Sequence, residues 1–324
     1  MSLLQHIGKL LLGIVLVSSL SINIAIAKNL KIGVSVPSAD HGWTAGLLWW
    51  AEKAAKDFKQ QEDGLEFYVV AASSGSKQVG DVEDLMIKGI DALVILPHNP
   101  ATLQKVIEEA YNSGIYTVVV DRELEVPAQN VFIAGDNAGL GRVSGEWLAK
   151  EMKNKGKVVV IEGMPIPINK QRVDAFNRVI AKHPEITILD SQPADWSTQK
   201  ALAVMENYLQ KHPKIDAVWC QDDDMLKGVM QAIKESGRSD IKTVLGGAGS
   251  QDIIAMIVNG NPVVRATVTY PPSMIASGIA LAITGLRHEH LGRMYHSAPS
   301  RVILAAELVD THNAQDFVVS DAAY

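Results

Sequence analysis

One cysteine, Cys220, stands in 324 residues. A lone thiol cannot close an internal disulfide, so the fold rests on its core in whatever compartment it occupies. The AVWC run that holds it reads as a buried structural thiol rather than a nucleophile, since no histidine partner is indicated. Metal spacings are missing as well. His288, His290 and His296 lie in RHEHLGRMYH without a cysteine or carboxylate at a recognised ligand spacing, and the stretch reads as a solvated loop. No GxSxG, HExxH or P-loop occurs, which leaves an enzyme reading only the generic capacity of Asp and His. GGAGSQD at 246–252 lacks the third glycine of a dinucleotide fingerprint and reads as a tight strand-to-helix turn, so no cofactor is expected. Basic charge is also short: 30 Lys and Arg against 36 Asp and Glu give −6, which argues against nucleic acid as a partner.

Long apolar runs are confined to the N-terminus. Lys9 precedes a run from Leu10 to Leu20, followed by Ala25-Ile26-Ala27, the small-x-small pattern of a signal peptidase site. The run is shorter than the roughly 20 residues a membrane span needs. Residues 1–27 are therefore expected to be a cleaved export signal, leaving a soluble periplasmic protein of 297 residues, with no cysteine at the cut for a lipid anchor. That length suits two domains or one large one.

What is abundant is alternation. Short Val/Ile-rich runs (KIGVSV at 31–36, FYVVAA at 67–72, ALVILP at 92–97, YTVVV at 116–120) alternate with amphipathic stretches such as Leu47, Trp50, Ala51, Ala54 and Phe58 at helical spacing. The pattern restarts with VFIAG at 131–135 and continues through KVVVIEG, ITILDS, DAVWCQ and KTVLGG. Two doubly wound α/β halves with parallel sheets fit, and the late segments VVRATVTY (263–270) and RVILAAEL (301–308) can complete either half.

Ligands of open α/β sheets bind beyond the carboxyl ends of the strands. Those ends carry Asp40 to Trp43, Leu96 to Asn99, Asp121-Arg122, Met164 to Arg172, Trp196, Asp222 and Gly246 to Gln251. Carboxylates that accept, guanidiniums that donate in a fork, and aromatic faces suit a neutral polyhydroxyl ligand. From position alone, Asp121 capping a turn and Arg122 facing solvent stand equal to that reading. In QDDDM (221–225), consecutive carboxylates cannot converge on a metal, so Asp223 and Asp224 read as an anionic first helical turn and Asp222 as a ligand candidate.

These segments together, with VEDLMIKGIDALVILP, YTVVVDRE, FIAGDNAGLGRVSGEWLA, QRVDAF, SQPADW, AVWCQDDDMLKGVMQAI and ATVTYPP, resemble the periplasmic sugar-binding proteins of the ribose-binding (type I solute-binding) family over nearly all of the mature sequence. The resemblance implies two doubly wound lobes joined by a hinge, spanning 28–135 plus about 271–305 and 136–270 plus about 306–324. It implies hinge strands near 134–138, 248–271 and 304–308, and sugar contacts from Asp121 and Arg122. It further implies a second sugar-binding arginine at Arg172, a stacking Trp196, an aromatic Trp43 and a polar contact at His41. Asp222 stands where ribose binders have Asn and Tyr270 where they have Gln, while Ala248 replaces a hydroxyl-gripping Asp and Leu96 a polar residue. A sugar or sugar alcohol other than ribose is thus expected, captured by a monomer without enzymatic activity and passed to an ABC permease and its ATPase. The alternative is a periplasmic sensing subunit for a membrane histidine kinase or chemoreceptor. A repressor's effector domain is disfavoured by the export signal and the lack of a basic DNA-reading helix.

Overall fold

The computed structural model describes residues 29–288, 299–322 and 324. The export signal, His290 and His296 lie outside the described residues, and His288 ends a helix. Two six-stranded sheets organise the protein. The first contains β1 (Leu30–Pro37), β2 (Leu65–Ala72), β3 (Ala92–Ile95), β4 (Tyr116–Val120), β5 (Val131–Gly135) and β11 (Arg301–Leu304), in the order β11-β5-β4-β3-β1-β2. The second contains β6 (Lys155–Glu162), β7 (Glu185–Pro193), β8 (Ala217–Cys220), β9 (Thr243–Leu245), β10 (Val264–Val268) and β12 (Leu308–Asp310), in the order β12-β10-β9-β8-β6-β7. All pairings are parallel except β10 with β12.

The central strands are buried at every residue, as in ALVI, YTVVV, VFIAG and AVWC, because helices cover both faces. Most β-to-α turns at the carboxyl end of each sheet start a helix with a side-chain cap. Asn99 caps α3 (Pro100–Asn112), Asp136 caps α4 (Asn137–Glu151), Ser197 caps α6 (Thr198–Lys211), Asp222 caps α7 (Asp223–Ser236) and Ser250 caps α8 (Gln251–Val258). Helix α1 (Gly42–Gln61) follows β1, α5 (Pro167–Ile180) follows β6, and α9 (Met274–His288) packs on β3 and β4.

Two segments near the boundary between halves are placed by their pairings. VFIAG, where the apolar pattern restarts, forms β5 and hydrogen-bonds between β4 and β11 in the first sheet, so the second sheet starts after it. RVILAAEL divides between the two sheets. Its first four residues pair with β5, and Leu308 onward pairs with β10, so the segment leaves one sheet and joins the other. The backbone therefore crosses between sheets after β5, after β10 and after β11.

Candidate functional site

The carboxyl ends of the two sheets face each other across a cavity lined by His41, Trp43, Asp121, Arg122, Ile168, Arg172, Trp196, Asp222, Ala248 and Tyr270. All eight residues singled out from sequence are thus brought together, with Ile168 added and Ala248 in the wall.

The cavity's backbone is unusual in one respect. Asp121, Trp196 and Ala248 adopt left-handed φ values of 64°, 57° and 84°, which cost L-residues energy and cluster where tertiary structure enforces them. At Asp121 this turn follows directly on β4 and aims the carboxylate inward rather than into a helix cap. Two glycines make room for the rings: a Cβ on Gly135 would run into Tyr270, and one on Gly163 into the Trp196 indole.

A directed series of hydrogen bonds links the two sheets. Arg172 Nε donates to Asn137 Oδ1 (2.8 Å), Asn137 Nδ2 donates to Tyr270 Oη (3.1 Å), and the Tyr270 hydroxyl donates to Asp121 Oδ1. The order of donors is enforced by chemistry, since guanidinium only donates and carboxylate only accepts. Burial and the Asp121 carboxylate push the Tyr270 phenol well above its ordinary value of 10.0, so it keeps its proton. The Arg172 guanidinium also lies 4.4 Å from the centroid of the Tyr270 ring, a cation–π contact. A second bond, from Nη1 to the Gln221 carbonyl, is long at 3.4 Å, which leaves most of its donors to the cavity. Asn137 carries the middle of this series and escaped the sequence reading, although FIAGDNAG contains it.

Arg122 is not solvated. Its Nη1 donates to the Pro97 carbonyl (3.2 Å) and the His98 carbonyl, and its Nε, 3.9 Å from Asp121 Oδ2, is buried without a hydrogen-bond partner among the described residues. His41 Nδ1 lies 2.6 Å from Asp40 Oδ1 and donates its proton to that carboxylate. Trp43 donates its indole N–H to the Tyr270 carbonyl (2.8 Å), fixing the ring beside Tyr270.

The three consecutive aspartates diverge, as expected, but none is a mere solvated face. Asp222 Oδ1 accepts from the Asp224 and Met225 amides. Burial, with help from Asp224 and against His41, raises its pKa to about 7. Asp223 is fully buried and holds the turn at 247–250 through the Gly247, Gly249 and Ser250 amides and the Thr267 hydroxyl. Asp224 reaches across the cleft to the Trp43 amide (3.2 Å) and is the direct contact between α7 and α1 that sequence reasoning missed. Among the described residues no group of three His, Cys, Asp or Glu is arranged to hold a metal. Cys220 is fully buried, and desolvation raises its thiol well above 9.0, as befits a structural residue.

Two α/β sheets with a polar cavity between their carboxyl ends define a type I periplasmic binding protein. Residues 32–289 match the periplasmic binding protein domain, and the chain belongs to that family. It is a binding protein and not an enzyme. It is similar to the ribose import binding protein RbsB of Bacillus subtilis, 31% identical with 85% of this chain and 87% of the relative covered. Among solved structures it resembles an ABC transporter solute-binding protein of Mycobacterium smegmatis with bound glycerol (29% identity, TM-score 0.76, covering 90% and 98% of the two proteins). It also resembles the fructose-binding periplasmic domain of a hybrid two-component system (27% identity, TM-score 0.75, covering 89% and 92%).

Proposed function

We propose that the protein captures a sugar or sugar alcohol in the periplasm by hinged closure of two lobes and delivers it to an inner-membrane ABC importer. The observation that carries this reading is the series Arg172–Asn137–Tyr270–Asp121, which runs from one sheet's helix to the other sheet's strand end beside two tryptophans. It sets guanidinium donors and a carboxylate acceptor at opposite sides of one small cavity, the arrangement that vicinal hydroxyls satisfy, while Trp43 and Trp196 offer faces to the C–H groups of a sugar ring or an acyclic polyol. Asp121, Arg122, Arg172, His41 and Asp222 are assigned as polar contacts, with Tyr270 and the tryptophans as walls.

The lobes proposed are 28–135 with about 271–305, and 136–270 with about 306–324, swinging on the crossings near residues 136, 270 and 306. Ala248 supplies no hydroxyl-binding carboxylate, which favours a ligand other than ribose, with Asp222 as a compensating acceptor. Residues 1–27 are assigned as the export signal and the working unit as a monomer.

A sensing role is the second reading, supported by the likeness to the fructose-binding domain of a two-component system. A thermal-shift screen of residues 28–324 against pentoses, hexoses, sugar alcohols and non-sugar metabolites tests the ligand class, because a ligand that binds only the folded state raises Tm. A hit confined to non-carbohydrates overturns the proposal. Uptake of the ligand found, compared in cells with and without the protein, then separates import from sensing.

A further inference from the structure

Helix α1 takes a hydrogen-bond acceptor from the far side of the cleft. Trp43 is its second residue, and the amide at that position of an α-helix has no partner within the helix. It donates instead to Asp224 Oδ2 (3.2 Å), in the first turn of α7. Helix α1 packs on β1 and β2 of the first sheet and α7 on β8 of the second, and the bond lies away from the backbone crossings near residues 136, 270 and 306. Helices α3, α4, α6, α7 and α8 are capped by the residue just before them; α1 is served by one 181 positions along the sequence.

Asp224 is held ready by its own side. Its carbonyl accepts from the Thr198 hydroxyl (2.9 Å), and Lys227 Nζ lies 3.4 Å from Oδ1 while also pairing with Asp252 (2.9 Å). Oδ2 is left for α1. On the α1 side the approach depends on residue 42 having no side chain, since a Cβ on Gly42 would fall within 2.9 Å of Asp224 Cγ and closer still to both carboxylate oxygens. Gly42 has no left-handed φ, so no turn requires a glycine there. Trp43 also donates its indole N–H to the Tyr270 carbonyl, and the ring that walls the cavity is thus tied at both ends.

We propose that Asp224 and Gly42 are positioning residues for ligand capture: Asp224 completes the N-terminus of α1 only when the two lobes meet, and in doing so it sets the Trp43 ring against the ligand. A carboxylate on the positive end of a helix makes a charge-assisted bond, so part of the ligand's affinity is carried by a contact that touches no ligand. The assignment rests on the hinged-closure reading of the cavity and names the residues through which closure acts; one arm of its test needs no ligand.

A double-mutant cycle uses whichever of D-ribose, D-fructose or glycerol binds the wild type. Asp224→Ala removes the acceptor and Gly42→Ala forces the carboxylate off the Trp43 amide, so each is expected to weaken binding about five- to tenfold. The two together are expected to lose no more than either alone, because both remove the same bond. A purely local role for Asp224 in α7 gives a lower Tm in Asp224→Ala and wild-type affinity in Gly42→Ala. That result, or effects that multiply in the pair, overturns the proposal. The ligand-independent arm is Gly42→Cys combined with Asp224→Cys, in a protein whose natural thiol, Cys220, is buried. The side chains meet at these positions, so mild oxidation of the free protein is expected to join them and leave one free thiol after unfolding. Three free thiols overturn the contact. If none of the three probes binds the wild type, the disulfide still decides whether the lobes meet through residues 42 and 224, and the sugar reading falls separately.

Discussion

Replacing Arg172 by Met keeps much of its length and removes its charge. The guanidinium offers five N–H donors, of which the protein takes one good bond to Asn137 and one long bond to Gln221. Two charge-assisted bonds to ligand hydroxyls, at about 1.5–3 kcal/mol each, amount to about 3–6 kcal/mol, or an affinity loss of roughly 10²- to 10⁴-fold. Folding is affected far less. Asn137 Oδ1 loses its donor and Tyr270 its cation–π neighbour, costs of about 1–3 and about 1 kcal/mol, offset in part because a buried charge no longer has to be desolvated. Calorimetric titration with the ligand found in the screen, beside a melting curve of the free variant, measures both quantities. An affinity within tenfold of wild type in a folded Arg172→Met protein would refute the placement of this arginine at the ligand.

Gly163→Ala sets a methyl into the Trp196 indole, and overpacking of this kind costs about 1–3 kcal/mol; a lower Tm together with weaker binding is expected, and a neutral effect on both would show the indole free to move. Stability should also fall as pH rises from about 5 to about 8. Asp222 and Asp223 are raised from 3.8 to about 7 by burial, so between those values the folded state keeps protons that the unfolded state has released, and the stabilisation present below about 4 is lost as pH climbs through 7. The carboxylates lowered by their partners, Asp40, Asp190 and Asp240, act only below that window. Asp222→Asn preserves the cap on the Asp224 and Met225 amides and should flatten the slope; Tm rising with pH in the wild type would contradict the argument.

Most strands and the fold class were legible because their causes are local. A strand covered on both faces must be apolar throughout, as in YTVVV and AVWC, and the turn after it must satisfy the first amides of a helix, as Asn99, Ser197 and Ser250 do. The rule that ligands lie beyond strand ends then selected His41, Asp121, Arg122, Trp196 and Asp222, because that rule follows from connectivity rather than from any single contact.

What escaped the sequence depends on partners far away in residue number. VFIAG reads identically whether it opens one sheet or closes another; pairing with β11, more than 160 residues later, decides it. Asp224 looks like any acidic first-turn residue until α1 arrives to present the Trp43 amide, and Asn137 looks like the start of a helix until Arg172 and Tyr270 meet over it. Tyr324 gives no sign of burial in the sequence and belongs to a core cluster in the fold. Apolar periodicity and capping thus determined the strands, the helices and the end of each sheet where a ligand belongs. Only the tertiary structure decided which donor meets which acceptor across the cleft, since a hydrogen bond requires two groups within about 3 Å and no local pattern reports that distance.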